Sequence, residues 1–264
     1  MRLVSYDGGF GRVTGENVIP MGSDLLAFLA TGEREGDGQP IPLDQVQAGP
    51  PIRRPGKILC IGFNYRDHAA EANFEVPAEP PLFSKYANSV IGAGEDVVVP
   101  PVTKQPDYEA ELAVVIGRVA RSVASTHALG YVAGYTCAND VSARDLQVRN
   151  LQWTRGKAID TFLPLGPYLV TPEEVPDPQA LPIRLRLNDE VMQESNTEMM
   201  IWTVADLVSI LSDTMTLEPG DVIITGTPPG VGVARKPQRF LQDGDEMVVE
   251  IDGIGRLANR VRLQ

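Results

Sequence analysis

A chain of 264 residues with 43% apolar and 22% charged side chains can build one large domain, or a small and a medium one, around an ample core. Its formal net charge of −12, from 23 basic and 35 acidic residues, repels nucleic-acid phosphate and anionic lipid, so neither is expected as a partner. No apolar run approaches the roughly 18–20 residues of a membrane span, and the start lacks the apolar core of a secretory signal, so a cytoplasmic location is expected.

Residues 1–52 differ in texture from the rest. They hold a strand pattern at Arg2–Tyr6, a Gly-rich turn and a helical stretch, Asp24–Ala30, with Ser23 as its expected cap. The loose segment 32–55 follows, with prolines at 40, 42, 50, 51 and 55. This reads as a small N-terminal domain with a Pro-rich linker, leaving 53–264 as the catalytic domain. From Lys57 onward, Lys57–Phe63, Val97–Val99, Glu109–Ile116, Val132–Thr136, Ile183–Leu187, Val222–Thr225 and Met247–Ile251 read as strands between Gly, Pro, Asn or Asp turns. Helices are expected from an Asn64 cap to about Ala72, and at Ser125–Ala128, Ser142–Leu151 and Val204–Leu211. Strands dominate without regular strand–helix alternation. The expected class is α+β, a mixed β-sandwich roll with a small N-terminal domain. Cys60 and Cys137 each lie in an apolar stretch and read as buried, reduced thiols.

Four constellations could carry chemistry. In Tyr108-Glu109-Ala110-Glu111-Leu112 the two glutamates project to one side of a strand, roughly 6–7 Å apart at Cα. They are either two surface glutamates on an edge strand or a buried pair that needs a proton or a cation. Asp140 is either a helix cap or a third carboxylate, and Asp140, Arg144 and Gln147 at i, i+4 and i+7 would share a helical face. Three carboxylates without His or Cys suit a hard cation such as Mg²⁺ or Mn²⁺, with Ca²⁺ as a substitute. Arg144, Arg149, Arg155 and Lys157 place a basic run after Asp140 in an otherwise acidic chain, which favours an anionic ligand there.

His68 and Glu71, at i and i+3, are spaced for the carboxylate to orient the imidazole; as a pair they are also compatible with a plain surface contact. His127 has no such partner and is assigned to the surface. Thr225-Gly226-Thr227-Pro228-Pro229-Gly230-Val231-Gly232 could bring backbone N–H groups near a ligand or be a plain tight turn; it lacks the lysine and spacing of a nucleotide phosphate loop.

Together these residues resemble the fumarylacetoacetate hydrolase family. The matching elements are Gly62 to Glu71; Phe83-Ser84-Lys85 with Ser89 and Gly92; Asp107 to Leu112; Asn139 to Asp145 with Gln147; Gly156 to Phe162; and Thr225 to Pro228. The resemblance implies a homodimer, a small anionic 2-oxo acid substrate, and Mg²⁺ or Mn²⁺ on Glu109, Glu111 and Asp140. It implies a water-activating His68–Glu71 dyad on a lid-like segment, Lys157 at the developing oxyanion, and Arg144, Gln147, Thr227 and Tyr65 at the substrate. The expected activity is hydrolysis of a C–C bond in a 2,4-dioxo acid such as an acylpyruvate. Decarboxylation of oxaloacetate-like acids, isomerisation or decarboxylation of unsaturated dioates, and a non-catalytic binding role are the alternatives.

Overall fold

The computed structural model of the chain describes residues 1–33, 36, 38–71, 76–149 and 152–264. The leading segment carries β1 (Arg2–Tyr6), β2 (Gly9–Thr14), β3 (Asn17–Gly22), α1 (Leu25–Thr31) and β4 (Ile41–Pro42). The chain continues through β5 (Ile58–Ile61), α2 (Arg66–Glu71), β6 (Leu82–Lys85), β7 (Val90–Ile91), β8 (Val97–Val99), β9 (Pro106–Asp107) and β10 (Ala110–Ile116). Next come α3 (Ser125–Ala128), β11 (Val132–Asn139), β12 (Ser142–Ala143), α4 (Arg144–Gln147), α5 (Thr154–Lys157) and β13 (Leu163–Val170). The last elements are β14 (Pro182–Leu187), β15 (Glu190–Asn196), α6 (Val204–Thr214), β16 (Val222–Ile224), β17 (Glu246–Ile251) and β18 (Gly255–Leu263).

Strands outnumber helices, and parallel and antiparallel pairs mix as the sequence predicts. Among the described residues one large sheet runs β4-β3-β2-β1-β13-β11-β10-β16-β5-β6, and a second runs β15-β14-β17-β18-β8. The β16–β5 and β18–β8 pairs are parallel, whereas β10, β11 and β13 pair antiparallel. The leading strands join the large sheet through β1, which pairs with β13.

Strand β10 shows why the sheet folds as it does. All seven of its residues are buried and all but Glu111 are apolar, so it reads as a near-continuous apolar run rather than as an alternation. Leu112, Val114 and Ile116 pack into the core shared with the second sheet, alongside Leu185, Val249 and Leu257. Ala113 and Val115 pack on the opposite face with Cys60, Ala138 and Ile224. Glu109 and Glu111 have the parity of Ala113 and Val115, so the pleat aims both carboxylates to one side. Cys60 and Cys137 are buried and unbridged, and no described helix is long and apolar enough to cross a membrane.

Local expectations needed correction at three helix starts. Asp24, not Ser23, caps α1, its Oδ1 accepting from Leu26 and Ala27 N–H. Asn64 caps nothing: its side chain bridges Trp202 and Thr225 backbone groups, and α2 starts at Arg66. The predicted helix over 142–151 begins only at Arg144, because Ser142 and Ala143 pair with β9; its expected end at Leu151, like Ala72 for α2, lies outside the described residues.

Candidate metal centre and its cavity

Antiparallel register gathers the three carboxylates. Ala110 pairs with Asn139 across β10 and β11, so the residues just beyond, Glu109 and Asp140, face one another. Asp140 N–H donates to the Glu109 carbonyl at 2.9 Å, and Glu109 N–H donates to Asn139 Oδ1 at 3.0 Å. One oxygen from each of Glu109, Glu111 and Asp140 lies within 4.8 Å of the others, and the residues are 6%, 1% and 0% exposed. The helical face expected for Asp140, Arg144 and Gln147 does not form. Asp140 ends a strand connection, and only Arg144 and Gln147 share a helix, with Arg144 Nη1 donating to Gln147 Oε1 at 3.1 Å.

Buried cations pair with two of the carboxylates. Lys157 Nζ lies 2.6 Å from Glu109 Oε2 and 2.7 Å from Asp140 Oδ2. Arg144 joins Glu109 Oε1 at 2.6 Å through Nη1 and Asp107 Oδ2 at 2.8 Å through Nε. Burial alone would raise the Glu109 carboxyl, but Lys157 and Arg144 hold it down at about 2. Lys85 Nζ lies 2.7 Å from Asp140 Oδ1. The same ammonium also donates to the carbonyls of Val141, Lys157 and Phe162, which fix it beside Asp140 Oδ1.

Glu111 is different. Its Oε2 accepts from Gly226 N–H at 2.5 Å, and among the described residues no cation pairs with it. Burial, then Asp140 and Glu109, push its carboxyl well above the ordinary range. An all-oxygen cluster in which one buried carboxyl has no cation partner fits a hard divalent cation.

The second constellation stands over this floor on α2. His68 Nδ1 lies 3.1 Å from Glu71 Oε2, and Gly230 N–H donates to Glu71 Oε1 at 3.0 Å. Burial raises the Glu71 carboxyl, but His68 and the Gly230 N–H outweigh it and lower the carboxyl below its ordinary value. With Nδ1 turned to the carboxylate, Nε2 is the ring nitrogen left for other partners. Ser195 Oγ donates to Asp67 Oδ2 at 3.0 Å and Arg66 Nη1 to the Glu198 carbonyl at 3.3 Å, tethering the helix to β15 and the turn after it.

Both constellations open onto one cavity of about 410 Å³. Sequence similarity now decides the family: the sequence model of the fumarylacetoacetate hydrolase C-terminal domain matches residues 57–262. The chain belongs to the fumarylacetoacetate hydrolase family. The mitochondrial oxaloacetate tautomerase of Rattus norvegicus is 48% identical over 222 residues, covering 84% of this chain and 71% of that protein. A fumarylacetoacetate hydrolase from Exiguobacterium antarcticum is 35% identical with a TM-score of 0.89, covering 99% of this chain and 98% of that one. A 2-hydroxyhepta-2,4-diene-1,7-dioate isomerase from Mycobacterium marinum is 36% identical with a TM-score of 0.85, covering 100% of this chain and 97% of that one.

Of the residues the sequence nominates in this family member, His68, Glu71, Glu109, Glu111, Arg144, Gln147, Lys157 and Thr227 line the cavity. Asp140 lies beneath it, fully buried. Tyr65 does not line it: the side chain is wholly buried, with a hydroxyl that has no hydrogen-bond partner. The basic run divides, since Arg144 and Lys157 enter the site while Arg155 is exposed and Arg149 bonds the Asp145 carbonyl. His127 is exposed.

Two participants escaped the sequence reading, and a third was read only in part. Lys85 and Asp107 both stand inside the family motifs, yet their roles need the fold. Asp107 gathers Arg144 Nε together with the N–H groups of Gly232 and Val233 at 2.7 and 3.0 Å. The third is the turn at 226–233. Its N–H groups serve the carboxylates of Glu111, Glu71 and Asp107, and Gly230 is required because φ is +101° and a Cβ would fall 2.1 Å from the Met192 carbonyl oxygen.

Proposed function

We propose that this chain moves a proton at C3 of a small 2-oxo acid, interconverting its keto and enol forms. The observation that carries this reading is the shared cavity: a histidine oriented by a carboxylate faces the same space as an oxygen cluster suited to a divalent cation. The naming of the Rattus norvegicus relative as an oxaloacetate tautomerase supports it. Mg²⁺ or Mn²⁺ held by Glu109, Glu111 and Asp140 would supply Lewis acidity to the 2-oxo group, making C3–H more acidic.

The chain's own side chains do the rest. Nε2 of His68 takes the proton from C3 and delivers it to the C2 oxygen, giving the enol and the neutral imidazole back, while Glu71 fixes the tautomer and steadies the imidazolium between the two transfers. Arg144 lines the cavity with Nη2 buried and unpartnered, a donor suited to the substrate carboxylate. Gln147, Lys157 and Thr227 offer polar contacts to the oxygens of the reacting end.

Deuterium incorporation at C3 of oxaloacetate in D₂O with Mg²⁺, followed by proton NMR, tests this. Wild type accelerates exchange, and His68→Ala slows it about 10²–10⁴-fold while Mg²⁺ affinity stays within about threefold. Exchange by His68→Ala at the wild-type rate overturns the assignment. A second reading, hydrolysis of a C–C bond in a 2,4-dioxo acid, is favoured by the likeness to the Exiguobacterium antarcticum hydrolase. It uses the same dyad on water, and release of pyruvate from an acylpyruvate separates it from proton transfer. Loss of CO₂ from oxaloacetate would instead mark a decarboxylase.

A further inference from the structure

The cavity has two halves of opposite character. Its cations, Arg144 and Lys157, both lie at the floor in contact with Glu109. Away from the floor the lining turns apolar, dominated by Phe63, Phe83, Val148, Trp153, Val231 and Val233. Lys157 Nζ reaches the foot of that wall, 4.9 Å from the Phe83 ring centroid, and among the described residues no lysine or arginine other than Lys157 and Arg144 lines the cavity. Arg235, the next basic residue along, donates to the carbonyls of Gly230 and Met192 instead. The stretches 72–75 and 150–151, outside the described residues, contain no lysine or arginine.

The wall is also built with care for its shape. Trp153 meets Phe63 edge-on at 5.9 Å and Phe83 at 5.4 Å, making a rigid aromatic corner. That corner depends on Gly62, where a Cβ would come within 2.8 Å of the indole. Phe63 holds its place at φ +51°, a left-handed conformation that is costly for a bulky residue. Val148, at the rim, is 79% exposed, an apolar side chain that nothing described covers.

A four-carbon diacid bound at the floor would leave this half of the 410 Å³ cavity unused. A longer diacid would push its second carboxylate against indole and valine without a counter-charge, at a high desolvation cost. We propose that the preferred substrates are 2-oxo acids bearing an uncharged apolar or aromatic tail, seated against this wall. The proposal rests on the 2-oxo acid reading above and adds what that reading leaves open, the chemistry of the distal end.

The test uses three probes and the whole protein with Mg²⁺, read by titration calorimetry. Oxalate reports the floor alone. Phenylpyruvate and 4-carboxyphenylpyruvate share a shape and differ by one distal carboxylate. Phenylpyruvate is expected to bind at least about tenfold tighter. In Val148→Lys that ratio falls at least about threefold, because the rim then carries a cation; Trp153→Ala lowers phenylpyruvate affinity relative to oxalate by about tenfold. Equal affinities for the two aryl acids, or ratios that neither variant moves, overturn the tail assignment while oxalate binding leaves the 2-oxo acid reading standing. No binding of oxalate sinks that underlying reading itself.

Discussion

The carboxylate floor and the dyad helix meet in one cavity but are built by different means. The floor belongs to the register of β10 and β11, and Glu109, Glu111, Asp140, Lys85 and Lys157 are each 6% exposed or less. The dyad stands on the six-residue helix α2, which side-chain bonds from Asp67, Arg66 and Glu71 tie to surrounding segments. Charge at the floor is therefore inseparable from the fold. Charge at the dyad is adjustable, because few of its contacts hold anything else in place.

The strongest way to break this comparison is Asp140→Ala. It strips a carboxylate from two buried lysines, and the expected loss is about 3–5 kcal/mol of stability with Mg²⁺ affinity falling well over tenfold. Chemical denaturation and calorimetry check the two effects; a variant as stable as wild type would show that the floor is not part of the fold's charge balance.

Glu71→Gln sharpens the other side. Exchange activity is expected to fall roughly tenfold or more, with the thermal midpoint lowered modestly at neutral pH. The Glu71 carboxyl is lowered below its ordinary 4.5 in the folded state, so its contribution to stability is complete above 4.5 and is lost as the pH falls through the lower folded value. The stability difference between wild type and Glu71→Gln should hold constant above 4.5, shrink as the pH falls from 4.5 to the lower folded value and be gone below it, as followed by urea titrations at stepped pH.

The smallest effect is expected at neither region. Thr203 caps α6 in a reciprocal capping box with Asp206, so Thr203→Ala costs about 1 kcal/mol. Its Mg²⁺ isotherm should overlay that of wild type, which sets the baseline against which the other two variants are read.

Much of the site was legible because its residues sit close in sequence. Period-two spacing is enough to align Glu109 with Glu111, and i, i+3 spacing to join His68 with Glu71. Asp140 is a different matter. Its place beside Glu109 comes from pairing two strands far apart in the chain, which local pattern does not specify; the ordered family motifs supplied it. Lys85 stayed hidden since its partners, the Asp140 carboxylate and three backbone carbonyls, all lie far from it in the chain and meet it only in the fold. Strand β13 was missed because Pro164, Gly166 and Pro167 interrupt its strand pattern, and the pairing with β11 does shift register nearby. Phe63, Phe83 and Trp153 form one corner only after the chain has turned back on itself.

The turn at 226–233 divides its labour between backbone and side chain. Its amides are committed to Glu71, Glu111 and Asp107, whereas Val231 and Val233 look into the cavity. A substitution at either valine can therefore recut the apolar wall without disturbing the hydrogen bonds to those three carboxylates, while a change that bends the main chain there disturbs dyad, floor and Arg144 at once. Such a turn lets selection, or an engineer, vary what the enzyme accepts while the chemistry it performs stays inherited.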